Sequence, residues 1–180
     1  MDILLVIDMQ DALFSGDTIR FDAAGVIGRI NSLAAAIRRH GGVVVFIQHD
    51  GTAEEGLLPN SPGWQILSAL DARPGDGRVR KTACDAFYKT DLSDLLSAAA
   101  PERLIITGCA TDFCVDTTVR AAASRGYDVV VAADGHTTGD RIHLSAEQII
   151  RHHNWMWENL ILPEHPVRVC STADLLDTLA

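Results

Sequence analysis

Positive charge is in short supply in this chain: 15 Lys and Arg stand against 24 Asp and Glu, for a formal net charge of −9. No long Lys/Arg cluster offsets that balance, which repels nucleic-acid phosphates and acidic membrane surfaces, so neither nucleic acid nor membrane is expected as a partner. Long apolar runs are also missing. Residues 3–7 are apolar, but a run of that length cannot span a bilayer, and Asp2 and Asp8 flank it where a signal peptide carries positive charge. Cysteine is sparse: Cys84, Cys109, Cys114 and Cys170 show no CxxC spacing. A chain of 180 residues can form its core without disulfides. The thiols are therefore read as reduced and the protein as cytoplasmic. Internal repeats and linkers are absent, and 1–180 is read as one domain.

What the chain does have is an ordinary globular composition, 47% apolar and 22% charged, with short apolar runs alternating with longer stretches of helical period. That alternation predicts an α/β fold with a doubly wound, mainly parallel sheet and helices on both faces. Strands are expected at 3–7, 43–48, 78–82, 104–107, 129–132 and 167–169. The first is apolar almost without interruption, as a strand covered on both faces requires. Helices are expected at 23–40, 91–99, 114–124 and 145–159, with a last one from about 172. Val26, Ile30, Leu33 and Ile37 carry the helical period of the first, and Gly41-Gly42 supplies its stop. Residues 49–63, rich in Gly and Pro, read as a long loop, followed by a short helix near 64–70.

In an open parallel sheet, ligands bind beyond the carboxyl ends of the strands. Three residues with chemical capacity are expected there: Asp8 after the first strand, Lys81 at the end of the third, and Cys114 opening the helix after the fourth. Singly, each has a bland reading as a turn cap, a solvated lysine or a small buried hydrophobe. Together they fit a nucleophile site. Shifting Cys114 to thiolate needs roughly 4 kcal/mol of differential stabilisation, more than a helix dipole supplies, so a neighbouring cation is required. Lys81 fills that role, and Asp8 becomes the base that takes the thiol proton and later returns it to a leaving group. Cys109, in the same loop, is the rival nucleophile.

Leu4-Leu5-Val6-Ile7-Asp8-Met9-Gln10, Lys81 with Asp85-Ala86-Phe87, and Gly108-Cys109-Ala110-Thr111-Asp112-Phe113-Cys114-Val115 resemble the signatures of the isochorismatase-like cysteine hydrolases, a family that includes nicotinamidases and carbamoyl-amide hydrolases. The likeness runs from about residue 3 to 169. It implies a Rossmann-like three-layer sandwich, a thioacyl-enzyme intermediate and a non-proline cis peptide before Ala110. It also implies an oxyanion hole made by the backbone N–H groups of Ala110 and Cys114. The implied substrate is a small amide or another C–N compound, and relatives are commonly homo-oligomers.

Similar nicotinamidases hold a metal with an Asp and several His after the second strand. Here that stretch offers only His49 and Asp50, with no further His before His136, so neither metal nor other cofactor is expected. His49, Asp50, Phe14, Trp64 and Phe87 are candidate pocket residues. Asp134-Gly135-His136-Thr137-Thr138 reads as structural support at the same sheet edge, and the His152–Trp157 stretch as a packing face or subunit interface. The competing functions are vinyl-ether hydrolysis, a catalytically silent binding or assembly protein, and a peroxide-sensing thiol with Cys109 as resolving partner.

Overall fold

A computed structural model of the chain describes residues 1–16 and 19–179. Six strands, β1 (Asp2–Ile7), β2 (Val43–His49), β3 (Gly77–Lys81), β4 (Arg103–Cys109), β5 (Val129–Thr137) and β6 (Arg168–Cys170), form one sheet in the order β3-β2-β1-β4-β5-β6. Every pairing is parallel. The helices are α1 (Asp11–Phe14), α2 (Ala23–Arg39), α3 (Leu92–Ala99), α4 (Asp116–Ser124), α5 (Ala146–Glu158) and α6 (Thr172–Thr178). The doubly wound expectation holds. Among the described residues, no helix is long and apolar enough to cross a membrane.

The pleat of β1 splits its side chains between two cores. Ile3, Leu5 and Ile7 pack with Leu92 and Leu96 of α3, Val119 of α4 and Trp157 of α5. Leu4 and Val6 pack with Val26, Ile30, Leu33 and Ile37 of α2 and with Leu175 of α6. Each face of the sheet thus buries its own layer of helices, which is why the strands read as near-continuous apolar runs. α2 closes where Gly41 turns left-handed at φ 74° and the Gly42 N–H returns to the Ile37 carbonyl at 2.8 Å.

Strand order reverses between β1 and β4, and a crevice opens beyond their carboxyl ends at such a switch point. Asp8 leaves one side of it and the chain after Cys109 leaves the other. Ile7 pairs with both Ile47 and Gly108, and His49 pairs with Lys81. This register delivers four strand ends to one level.

Three expectations need correction. Residues 64–70 form no helix: a single 3-10 turn covers Pro62–Trp64, and Ile66 pairs antiparallel with Gln10. Gln65 accepts from the Asp11 N–H at 2.9 Å and Leu67 donates to the Met9 carbonyl at 3.0 Å, so the chain after β1 takes backbone groups a helix would need for itself. The helical stretch expected to open at Cys114 begins earlier, with a π-type turn over Thr111–Val115 that runs into α4. β5 continues to Thr137, where His136 and Thr137 are buried and hydrogen-bonded.

Candidate active site

The chain reaches the crevice through strained and tightly fitted backbone. Asp8, first residue past β1, sits in the left-handed region at φ 48°, a conformation that costs a non-glycine residue free energy and is tolerated where the surroundings fix it. Its N–H donates to the Ile47 carbonyl at 2.9 Å. Near the end of β4, Gly108 has φ 124°, and a Cβ there would lie 2.2 Å from the Ile7 carbonyl oxygen; only glycine lets the two strands approach so closely. The Cys109–Ala110 peptide is cis. The Ala110 carbonyl then accepts from Phe113 at 3.0 Å and from Val115 at 3.2 Å, closing the π-type turn that carries Cys114.

Asp8, Lys81 and Cys114 meet. Lys81 Nζ lies 2.6 Å from Asp8 Oδ2, with both side chains almost wholly buried. It also donates to Cys114 Sγ at 3.3 Å and to the Ala83 carbonyl at 3.0 Å, and sits 3.5 Å from His49 Nδ1. Among the described residues, Asp8 Oδ1 is buried with no hydrogen-bond partner.

The charges on these groups follow from burial against pairing. Burial pushes the Asp8 carboxyl above its ordinary range, opposed by Lys81 and then by the Cys114 thiol. Burial works to lower Lys81, but Asp8 and Cys114 outweigh it and leave the ammonium more firmly protonated than usual. The Cys114 thiol is pushed up, by burial first and Asp8 second, against the pull of Lys81. Burial and Asp8 thus favour the protonated thiol, opposite to the direction expected from the helix end and Lys81. Cys109 is fully buried and its thiol is pushed up to about 12 by that burial. That weighs against Cys109 as nucleophile or resolving thiol.

Asp8, Ala110 and Cys114 line a cavity of about 600 Å³, of small-molecule size. His49 lines it too, its basicity lowered by burial and then by Lys81. The other four pocket candidates lie elsewhere. Phe14 packs against the α2 layer. Phe87 is buried, stacked on Tyr127 at 5.9 Å, with the Arg125 guanidinium 4.5 Å from its ring centroid. Asp50 accepts from Trp64 Nε1 at 2.8 Å and from Arg80 Nε at 2.8 Å, and Arg80 lies over the Trp64 ring. Asp50 is thus committed to Arg80 and Trp64, and the His49–Asp50 pair does not fit a metal. Among the described residues, no three His, Cys, Asp or Glu side chains gather as ligands.

Lining residues missed from the sequence are Leu13, Arg20, Glu55, Leu57, Cys84, Phe113 and Arg141. Phe113 was adjacent to the proposed nucleophile and Cys84 followed Lys81 closely. Leu13 sits on α1, and the others come from loops without a local pattern. Gln10, inside the first motif, acts as a strut: its amide donates to the His49 and Trp64 carbonyls at 3.1 and 3.0 Å and accepts from the His49 N–H at 2.7 Å.

A buried network holds the nucleophile turn from behind. Thr111 Oγ1 meets His136 Nδ1 at 2.8 Å, and His136 Nε2 meets Asn154 Oδ1 at 2.9 Å. Trp157 sits edge-on to His136 and donates to Asp116 at 2.8 Å. Thr138 donates to Asp112 at 2.6 Å, while Asp134 accepts from the Thr172 N–H at 2.8 Å and hydroxyl at 2.7 Å. The segment 134–138 therefore supports the site rather than facing the crevice with its polar groups. On α5, Asn154 and Trp157 turn inward, and Trp155 is exposed.

The family model described as the Isochorismatase domain matches residues 2–156. The chain belongs to the isochorismatase family. Over 137 residues this isochorismatase-family chain is 38% identical to a streptothricin hydrolase of Streptomyces noursei, covering 76% of the chain and 50% of the relative. Over 167 residues it is 30% identical to the ureidoacrylate amidohydrolase RutB of Variovorax paradoxus strain S110, covering 73% of the chain and 66% of the relative. The chain thus spans about half the length of the streptothricin hydrolases it matches. A crystal structure of an isochorismatase family protein superposes with a TM-score of 0.87 at 36% identity, covering 94% of this chain and 98% of that one.

Proposed function

We propose that the protein is a cysteine-dependent hydrolase of a small amide or related C–N substrate, working through a thioester without a cofactor. The observation that carries this reading is Lys81 Nζ, held 2.6 Å from Asp8 Oδ2 and 3.3 Å from Cys114 Sγ at the wall of a small-molecule cavity. Membership of the family, and relatives named as a streptothricin hydrolase and a ureidoacrylate amidohydrolase, support C–N bonds as the target.

In this scheme the Cys114 thiol passes its proton to Asp8 as Sγ attacks the substrate carbonyl, so the anion never has to be stored in the resting site. The Ala110 and Cys114 backbone N–H groups hold the developing oxyanion, where preorganised donors contribute several kcal/mol. Asp8 hands the proton to the departing amine. Water then attacks the thioester with Asp8 as base, and Cys114 recovers its proton. Lys81 keeps Asp8 ionised and stays charged throughout. The test is release of ammonia from nicotinamide and carbamoyl amino acids, and of the ring-opened amino acid from cyclic lactams, by wild type and Cys114→Ala: release by wild type alone is expected, and silence from both across the panel contradicts the reading.

A further inference from the structure

Two guanidiniums, Arg20 and Arg141, line the same cavity as Cys114. Arg141 is already neutralised: its Nε and Nη2 donate to the two Asp112 oxygens at 2.9 and 3.0 Å, Nη2 also donates to Thr138 Oγ1 at 2.9 Å, and its guanidinium lies 5.3 Å from the Phe113 ring centroid. Arg20 is different. Its Nε donates to the Leu13 carbonyl at 2.7 Å, and among the described residues it has no carboxylate within 4.0 Å and no bond from either terminal nitrogen.

The backbone around Arg20 is anchored. Arg20 pairs antiparallel with Gly139, the Phe21 N–H donates to the Thr138 carbonyl at 2.9 Å, and Thr137 Oγ1 donates to the Phe21 carbonyl at 2.6 Å. The loop that presents Arg20 is thus stitched to the segment that carries Arg141. Both guanidiniums and the buried Cys109 line the cavity. Of the two carboxylates lining the cavity, Asp8 is paired with Lys81 and Glu55 is tied to its own turn through the Thr52 N–H at 2.7 Å. Among the described residues lining the cavity, Arg20 is thus the guanidinium that no carboxylate neutralises. A half-buried guanidinium whose terminal nitrogens have no partner among the described residues is completed best by a bidentate anion.

Resting on the hydrolase reading above, we propose that Arg20 is a specificity-determining residue that selects substrates carrying a carboxylate beside the scissile C–N group. The probes are matched acid and neutral pairs: succinamate against butyramide, and N-carbamoylglycine against N-carbamoylglycinamide. Binding is measured by calorimetry on Cys114→Ala, which removes chemistry from the readout. The acids bind about tenfold tighter or more than their neutral partners, as loss of a charge-assisted bidentate contact implies. Arg20→Gln in that background abolishes the preference, and Arg20→Lys, which keeps the charge without the fork, retains part of it. Equal binding of acid and neutral compound, a preference that survives Arg20→Gln, or no saturable binding of either acid at millimolar concentration would overturn the assignment. Ammonia release by the wild type is scored separately and bears on the hydrolase reading alone.

Discussion

Lys81→Met is the perturbation that probes the centre most sharply, because Met nearly preserves the volume and deletes only the charge. Lys81 and Asp8 face each other at 2.6 Å with side-chain exposures of 0% and 2%. Removing one member of a buried pair leaves an uncompensated charge and costs about 3–5 kcal/mol. For a chain of this size each kcal/mol lowers Tm by about 2–4 °C, which implies a fall of roughly 6–20 °C. The loss also depends on pH. Lys81 is the main influence holding Asp8 down against burial, so without it the folded-state pKa of Asp8 climbs further above the unfolded value. A carboxyl raised in this way destabilises increasingly as pH rises from its unfolded pKa, about 4, through its folded one. The gap between wild type and Lys81→Met is therefore small near pH 4 and largest near pH 8. Asp8→Asn combined with Lys81→Met buries no charge and recovers much of the difference. The assay is denaturant unfolding at pH 5 and pH 8, and a loss under about 1 kcal/mol, or one identical at the two pH values, would refute the reasoning.

Burial pushes His136 down to about 4 from its usual 6.5, so the unfolded chain binds more protons between those values. That contribution to stability is intact above pH 6.5 and declines to a loss of about 3 kcal/mol by pH 4; His136→Gln should flatten the stability slope over this window, and an unchanged slope would count against it. Because burial and Asp8 hold the Cys114 thiol protonated at rest, its alkylation by iodoacetamide in the free protein should accelerate with pH and show no plateau near neutrality. Peptide mapping would place the label on Cys114 ahead of the buried Cys109.

Much of this organisation was written locally. The apolar runs of β1, β2 and β4 admit little but buried parallel strands, and with β3 beside β2 the residues at or just beyond the strand ends fall at the crevice, which is why Asp8, Lys81 and Cys114 could be chosen from the sequence. The end of β5 was not legible because Asp134 and His136 look like turn residues until Thr172, Thr111 and Asn154 are seen to satisfy them. The segment 64–70 has helical composition but loses its backbone bonds to the chain after β1, a long-range effect without a local signal. Trp64 and Asp50 were plausible pocket residues until Arg80 drew both into a surface cluster. Arg20, Glu55 and Arg141 reach the cavity from loops, whose course depends on what they dock against.

Covalent capture at Cys114 tests the central claim most directly. Wild type mixed with an amide it hydrolyses, quenched in acid during turnover and analysed by peptide mass spectrometry, should carry the acyl group as a thioester on Cys114. Cys114→Ala should show no adduct and lose at least about a thousandfold in turnover. Undiminished turnover by Cys114→Ala, or an acyl group found on another residue, would contradict the account.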